Sequence, residues 1–165
     1  MYGSPATLRA TGVLPPRSSR RTEVRGERRH TQQRGNTLIE HFAPDPDAPY
    51  SPAVRAGGWL FVSGQASTDP ETGAFIPGTF DEEFARSVEN LRRVLREAGA
   101  REEQIVKIAA FVRDEASLPR YNELYRETFK HPRPARTTSS MGFDFLQVEL
   151  ECIAYVGDDV PTSET

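Results

Sequence analysis

From Leu146 to Val156 apolar and polar positions alternate strictly. Val148, Leu150, Cys152, Ala154 and Val156 fall on one side, and Gln147, Glu149, Glu151, Ile153 and Tyr155 on the other. A period of two predicts a strand with one core face and a second face carrying two carboxylates. Gln104 to Arg113 repeats the pattern, with Val106, Ile108, Ala110 and Val112 as the apolar face and a mixed set opposite. Two strands with such a mixed second face predict a sheet whose other side packs on another subunit. Ala53–Ala56 and Trp59–Ser63 flank Gly57-Gly58, a hairpin signal. Gly64, at the end of the second of these strands, predicts a bulge or a close backbone approach. Shorter strands are predicted over Thr37–Phe42 and Thr137–Met141.

Between these strands the period changes to that of a helix. Thr79-Phe-Asp-Glu82 fits a capping box, and Phe84, Val88, Leu91 and Leu95 form a stripe that ends at Gly99. This helix reads as a cover, with nothing catalytic on it. Ser117 is the predicted cap of a second helix, with Pro119 in its first turn, Tyr121, Leu124, Tyr125 and Thr128 as its stripe, and His131-Pro132 as its stop. Asn122 reads either as a cap-region residue or as a polar group reaching a site. Ala43 to Pro52 is a proline-stiffened loop that holds Tyr50, either as a buried plug or as a site-lining hydroxyl. Strand, hairpin, helix, strand, helix and two strands predict an α+β layer fold, a mixed sheet covered on one face by two helices.

Composition changes the picture at the ends. Residues 1–35 hold eight arginines and two glutamates with almost no apolar periodicity, and are expected to be a disordered extension. They read as a dispensable tail or the product of an upstream start, as a basic arm, or as an organelle transit peptide. The domain itself is expected over 36–157, with a polar tail at 158–165. Outside the extension stand 13 basic and 22 acidic residues, an acidic balance that argues against a nucleic-acid surface. One cysteine and the scattered His30, His41 and His131 exclude a disulfide framework and offer no metal-ligand spacing. No apolar run reaches the roughly 18 residues of a membrane span. A reduced cytoplasm is the expected compartment, with organelle targeting the alternative.

The candidate chemistry lies in Pro134-Ala-Arg136-Thr-Thr138 and the final strand. An arginine able to clamp a carboxylate stands near glutamates able to move a proton. The competing reading is a structural ion pair between Arg136 and Glu149 or Glu151.

Several of these elements together resemble the RidA family of reactive intermediate deaminases. They are Ala48-Pro-Tyr50-Ser-Pro52, Val62-Ser-Gly64-Gln65, Asn90-Leu91 with Ala98-Gly99, Asn122, Pro134-Ala-Arg136-Thr137 and Glu149-Leu-Glu151-Cys-Ile-Ala154. The resemblance covers about residues 37–157. It implies a chorismate mutase-like fold of the bacterial trimeric type, with clefts between subunits. It also implies hydrolysis of 2-imino acids and their enamine tautomers to 2-keto acids and ammonia, with no cofactor or metal. Matched by position, Arg136 binds the substrate carboxylate and Glu151 positions or activates water. Tyr50, Ser63, Asn122 and Thr138 line the cleft, and Glu149 is left as a structural partner. Two features depart from the family pattern: Glu83, where many members carry glutamine, and the aromatic Met141–Phe145 segment. A non-catalytic ligand-binding regulator and an endoribonuclease or translation inhibitor remain the alternative classes.

Overall fold

The computed structural model describes residues 39–43 and 46–157. The expectations for the arginine-rich extension, for Thr37 and Leu38, and for the C-terminal tail lie outside the described residues. The elements follow the predicted order: β1 (Ile39–Phe42), β2 (Ala53–Ala56), β3 (Trp59–Gln65), α1 (Phe80–Glu97), β4 (Ile105–Val112), α2 (Leu118–Thr128), β5 (Ala135–Ser140) and β6 (Val148–Tyr155). They form one mixed sheet in the order β1-β2-β3-β6-β4-β5. Only β4 and β5 run parallel, because α2 carries the chain back between them.

Alternation in β6 decides which face is which. Val148, Leu150, Cys152 and Ala154 are buried beneath the helices, together with Leu60, Val62, Ile108, Ala110 and Val112. The opposite face of the sheet is open. It carries Trp59, Phe61 and Tyr155, each between 44% and 46% exposed, with the Trp59 and Tyr155 rings 5.1 Å apart. One expected alternation is reversed. A register shift between Ile105 and Lys107 turns Ile105 inward, at 7% exposure, and Val106 outward. A bulge of this kind exchanges the faces of the residues beside it, so a strict period of two misplaces both.

Both ends of α1 match their signals. Thr79 Oγ1 accepts from the Glu82 N–H and Glu82 returns a carboxylate oxygen to the Thr79 N–H (2.8 Å), while Gly99 takes a φ of +72° just past the helix. The start of α2 differs from expectation. Ser117 makes no side-chain cap; its own N–H and hydroxyl both donate to Asp114 Oδ1 (2.9 and 2.8 Å), and that carboxylate caps the short 3-10 turn Glu115–Ser117 ahead of the helix. The hydrogen bonds from Ser117 hold the Asp114 carboxyl below its usual range.

The covering helix does more than cover. Its buried side includes Glu83, Ser87 and Asn90 as well as the apolar stripe. Glu83 is 1% exposed and accepts from the backbone N–H of Gly78 (3.0 Å) and of Gln147 (2.7 Å), tying the helix start to the entry of β6. Asn90 donates to the carbonyls of Ala66 (3.0 Å) and Thr68 (2.9 Å), fixing the loop that follows β3. Replacing Glu83 with alanine strands two part-buried donors and opens a void where its own side chain is buried. The expected cost is about 3 kcal/mol, read as a lowered denaturant midpoint. Glu83→Gln keeps one acceptor and costs less.

Candidate functional site

The last turns of β3 shape the site. After Val62, paired with Cys152, the register shifts, and pairing resumes at Gln65 with Leu150. The strand bulges at Ser63-Gly64, which brings the Gly64 backbone under the Glu149 carboxylate. A Cβ at Gly64 would lie 1.8 Å from Glu149 Oε1, so the close approach predicted for this glycine is real and needs a residue without a side chain. Burial, and secondarily the Glu151 charge, pushes the Glu149 carboxyl above its usual range.

Glu149 stands in a surface groove of about 540 Å³ whose walls include Tyr50, Gly64, Arg93, Phe143 and Phe145. Tyr50 is not a buried plug; it is 61% exposed at the groove. Its loop is held by Ser63, whose hydroxyl donates to the Ser51 carbonyl (2.7 Å) and whose N–H donates to the Pro52 carbonyl (3.0 Å). Arg93 pairs with Glu97 through Nη1 at 2.9 Å, while its buried Nε has no hydrogen-bond partner among the described residues.

Ser63 and Glu151 share a separate shallow hollow with Val54, Phe61 and Ile153. Glu151 is exposed there, whereas Glu149 is half-buried in the groove. Of the two carboxylates, the one left as a structural partner in the sequence reading is the one with the groove and the raised pKa. Alternation puts both on the open face; only the bulge separates their environments.

Arg136 lies elsewhere. It pairs in register with Ile108, so its side chain leaves the edge strand β5 on the helix side. Glu151 pairs with Ala109 and Glu149 with Phe111, on the opposite face. One chain therefore does not bring Arg136 to either glutamate, and the structural ion pair left open by the sequence is not formed. The guanidinium instead sits over the rings of Tyr121 (5.0 Å) and Tyr125 (4.7 Å) and donates to Asn122 Oδ1 (2.7 Å). Asn122 thus acts on Arg136 and not as a helix cap. Thr138, in register with Ala110, lies on the same side as Arg136. Its hydroxyl and those of Tyr121 and Tyr125 are buried without a partner among the described residues. Burial pushes both tyrosine pKa values up, so the phenols stay neutral beneath the cation. The two tyrosines were legible only as a core stripe. Their second task, as a platform for Arg136, depends on β5 lying beside α2.

The predicted residues thus fall into three groups: Tyr50 with the groove, Ser63 with Glu151 in the hollow, and Arg136, Asn122 and Thr138 at the sheet edge. Cys152 is buried on the helix face, where burial pushes its thiol up to about 12 and leaves it inert as a nucleophile. Among the described residues no three His, Cys, Asp or Glu side chains gather around one ion position, and no helix is long and apolar enough to cross a membrane.

The Gly64–Glu149 contact yields a direct expectation. Gly64→Ala folds, because the clash is with the flexible end of Glu149, but it swings the carboxylate out of place. Any reaction that uses Glu149 slows about 10- to 100-fold in kcat while KM changes little.

Comparison with known proteins places the chain. Residues 40–156 match the family model described as endoribonuclease L-PSP. A Schizosaccharomyces pombe protein named "Protein mmf2, mitochondrial" is 42% identical over 111 residues, which is 64% of this chain and 86% of that protein. A Dermatophagoides farinae protein named 2-iminobutanoate/2-iminopropanoate deaminase is 33% identical over 117 residues, 70% of this chain and 91% of that one. Among solved structures, a protein of the conserved Rid family from Yersinia pestis superposes with a TM-score of 0.65 at 30% identity, covering 72% of this chain and 99% of that chain.

Proposed function

This chain belongs to the endoribonuclease L-PSP family, in which the Rid proteins stand, and from that premise we propose that it is an imine deaminase. Its six-stranded mixed sheet with two helices is the chorismate mutase-like fold of that family. The proposed substrates are 2-imino acids and their enamine tautomers, and the products are 2-keto acids and ammonia. The observation that carries the reading is Arg136: a guanidinium held by two aromatic rings and a neutral amide, with no carboxylate partner among the described residues. A cation built in without a counter-charge is suited to a substrate carboxylate, which a guanidinium binds through two parallel hydrogen bonds.

The reaction adds water to the imine. Oxygen bonds to C2, the C=N π pair moves to nitrogen, and protons transferred from the water leave that nitrogen as an amine. The C–N bond then breaks, ammonia departs and the carbonyl forms. A carboxylate beside C2 orients the water and shuttles the protons. We assign that task to Glu149, because it lies in the groove with Tyr50 and carries a raised pKa, and not to the exposed Glu151. Imines hydrolyse unaided, so a site built mainly on positioning is enough.

Arg136 and Glu149 leave opposite faces of one sheet. We therefore infer that the site is completed between copies, Arg136 of one chain meeting the groove of the next. The exposed Trp59, Phe61 and Tyr155 supply an apolar face for such an assembly, and a homotrimer is the arrangement we propose. The endoribonuclease reading carried by the family description is the weaker one here: Asp69 and Glu149 in the groove repel a phosphate backbone, and the Glu97 charge is offset by Arg93. We place the protein in the cytoplasm. The mitochondrial name of one relative and the eight arginines of residues 1–35 make an organelle the alternative.

The test generates 2-iminopropanoate from alanine with an amino acid oxidase and traps the remaining imine as its semicarbazone. Faster loss of imine with the protein present supports the reading. An unchanged rate across several imino acids removes it and leaves a binding protein.

A further inference from the structure

We propose that an aromatic wall built by Phe75, Phe143 and Phe145 makes the groove selective for 2-imino acids with aromatic or large apolar side chains, over the three-carbon acid. This rests on the deaminase reading and goes beyond it by naming the substrate class.

Phe143 and Phe145 both line the groove that holds Glu149 and Tyr50. Phe145 is 60% exposed, although the next residue, Leu146, is buried at 4% exposure. Its ring meets Phe75 edge-on at 6.0 Å and Phe143 at 5.4 Å, so the three rings form one connected surface. Edge-to-face contacts of this kind leave ring faces able to receive another aromatic group.

The wall stands on two anchored loops. The Met141–Phe145 segment is tied at its start by the Met141 N–H to the Val112 carbonyl (2.8 Å). At its end Arg113 donates to the carbonyls of Asp144 and Leu146, each at 3.0 Å. Phe75 lies on the loop after β3, where it bridges to Thr68, and Ile76 donates its N–H to the Ser67 carbonyl (2.8 Å). Arg86 and Asn90 of α1 hold that loop through Ser67, Ala66 and Thr68. Aromatic rings on a fixed backbone give a preformed apolar surface, so little ordering is lost when a side chain packs on them.

Size points the same way. At about 540 Å³ in the single chain, before a neighbouring copy closes on it, the groove falls in the range of small-molecule sites, roughly 300–1,000 Å³. With the reacting carbon beside Glu149, Tyr50, Phe143 and Phe145 bound one side of the remaining space, with Thr68, Asp69 and Arg93 elsewhere in the lining. A benzyl or isobutyl group buries apolar surface there; a methyl group does not reach it.

The test uses the full-length protein and imines formed in situ by a D-amino acid oxidase from D-phenylalanine, D-leucine and D-alanine. The wild type is expected to show a kcat/KM at least about tenfold higher for the phenylalanine-derived imine than for the alanine-derived one. Phe145→Ala is expected to lower the ratio of kcat/KM on the aromatic imine to that on the alanine-derived one by about tenfold. Phe145→Leu should fall between, and assembly size by light scattering should not change. Equal wild-type rates on the three imines overturn the proposal and leave the deaminase reading standing. So does an equal loss on all substrates in Phe145→Ala, or a change in its assembly size, since the ring would then serve folding or contact between copies. If no imine is hydrolysed faster than the background, the deaminase reading fails, and this proposal with it.

Discussion

Arg136→Ala should fold, assemble and lose imine hydrolysis. The side chain is exposed at the sheet edge, so its removal costs the fold one exposed hydrogen bond to Asn122 and two cation–π contacts, the latter about 0.5–1 kcal/mol each at such sites. Binding the substrate carboxylate is another matter. Hydrogen bonds to charged groups contribute about 1.5–3 kcal/mol, and a bidentate clamp makes two of them. A loss of about 3 kcal/mol or more corresponds to at least about a hundredfold in kcat/KM. The lysine variant separates charge from geometry. Lysine keeps the charge but neither the planar fork nor the flat stacking on Tyr121 and Tyr125, so Arg136→Lys should recover only a small part of the activity. Steady-state rates with purified variants, corrected for spontaneous hydrolysis, decide it. An Arg136→Ala protein as active as the wild type would remove the carboxylate clamp from the proposal.

Glu149→Gln should abolish most of the remaining rate acceleration and change the pH profile. General acid–base groups contribute typically about a hundred- to ten-thousandfold. Burial raises the Glu149 pKa, with the Glu151 charge adding to it. As a base, Glu149 must be ionised. Wild-type kcat/KM should therefore fall as pH drops through this raised value, at a higher pH than for an ordinary carboxylate. The glutamine variant should lack that limb.

The same shift makes a stability prediction of opposite sense. A carboxyl whose folded pKa lies above its unfolded one binds more protons in the folded state. Stability is lost as pH rises from the unfolded pKa through the folded one. Glu149→Gln should thus be more stable than wild type at neutral pH and lose that advantage in acid, as read from denaturant midpoints at the two pH values. Equal midpoints at both would argue against a desolvated Glu149. Glu151→Gln is the control: exposed on the same strand, it should leave the acid limb in place, displaced slightly downward in pH, because the Glu151 charge contributes to the Glu149 shift.

Much of the fold is legible along the chain because burial acts through period. The alternation of β6, the stripe of α1 and its Thr79–Glu82 box and Gly99 stop are local, and each appears where the pattern puts it. The exceptions have two sources, one distant and one local. The shift beside Lys107 reverses Ile105 and Val106, since a bulge is set by the partner strand. Ser117 does not cap α2, because the short turn just ahead, capped by Asp114, uses the serine as its donor.

The same division runs through the site. Residue types and motif order determined the inventory: an arginine for a carboxylate, two glutamates on one face, a tyrosine on a stiff loop, a glycine where the backbone must come close. Which glutamate meets the groove was settled by the β3 bulge and by burial, and chain order carries no record of either. Whether Arg136 meets a carboxylate was settled by register. Parallel pairing with β4 sends its side chain to the helix side, while β6 sends Glu149 and Glu151 to the other. Side-chain chemistry is a property of each residue and can be read one letter at a time. The distance between two side chains depends on strand order, register and face, and those exist only once the sheet has formed.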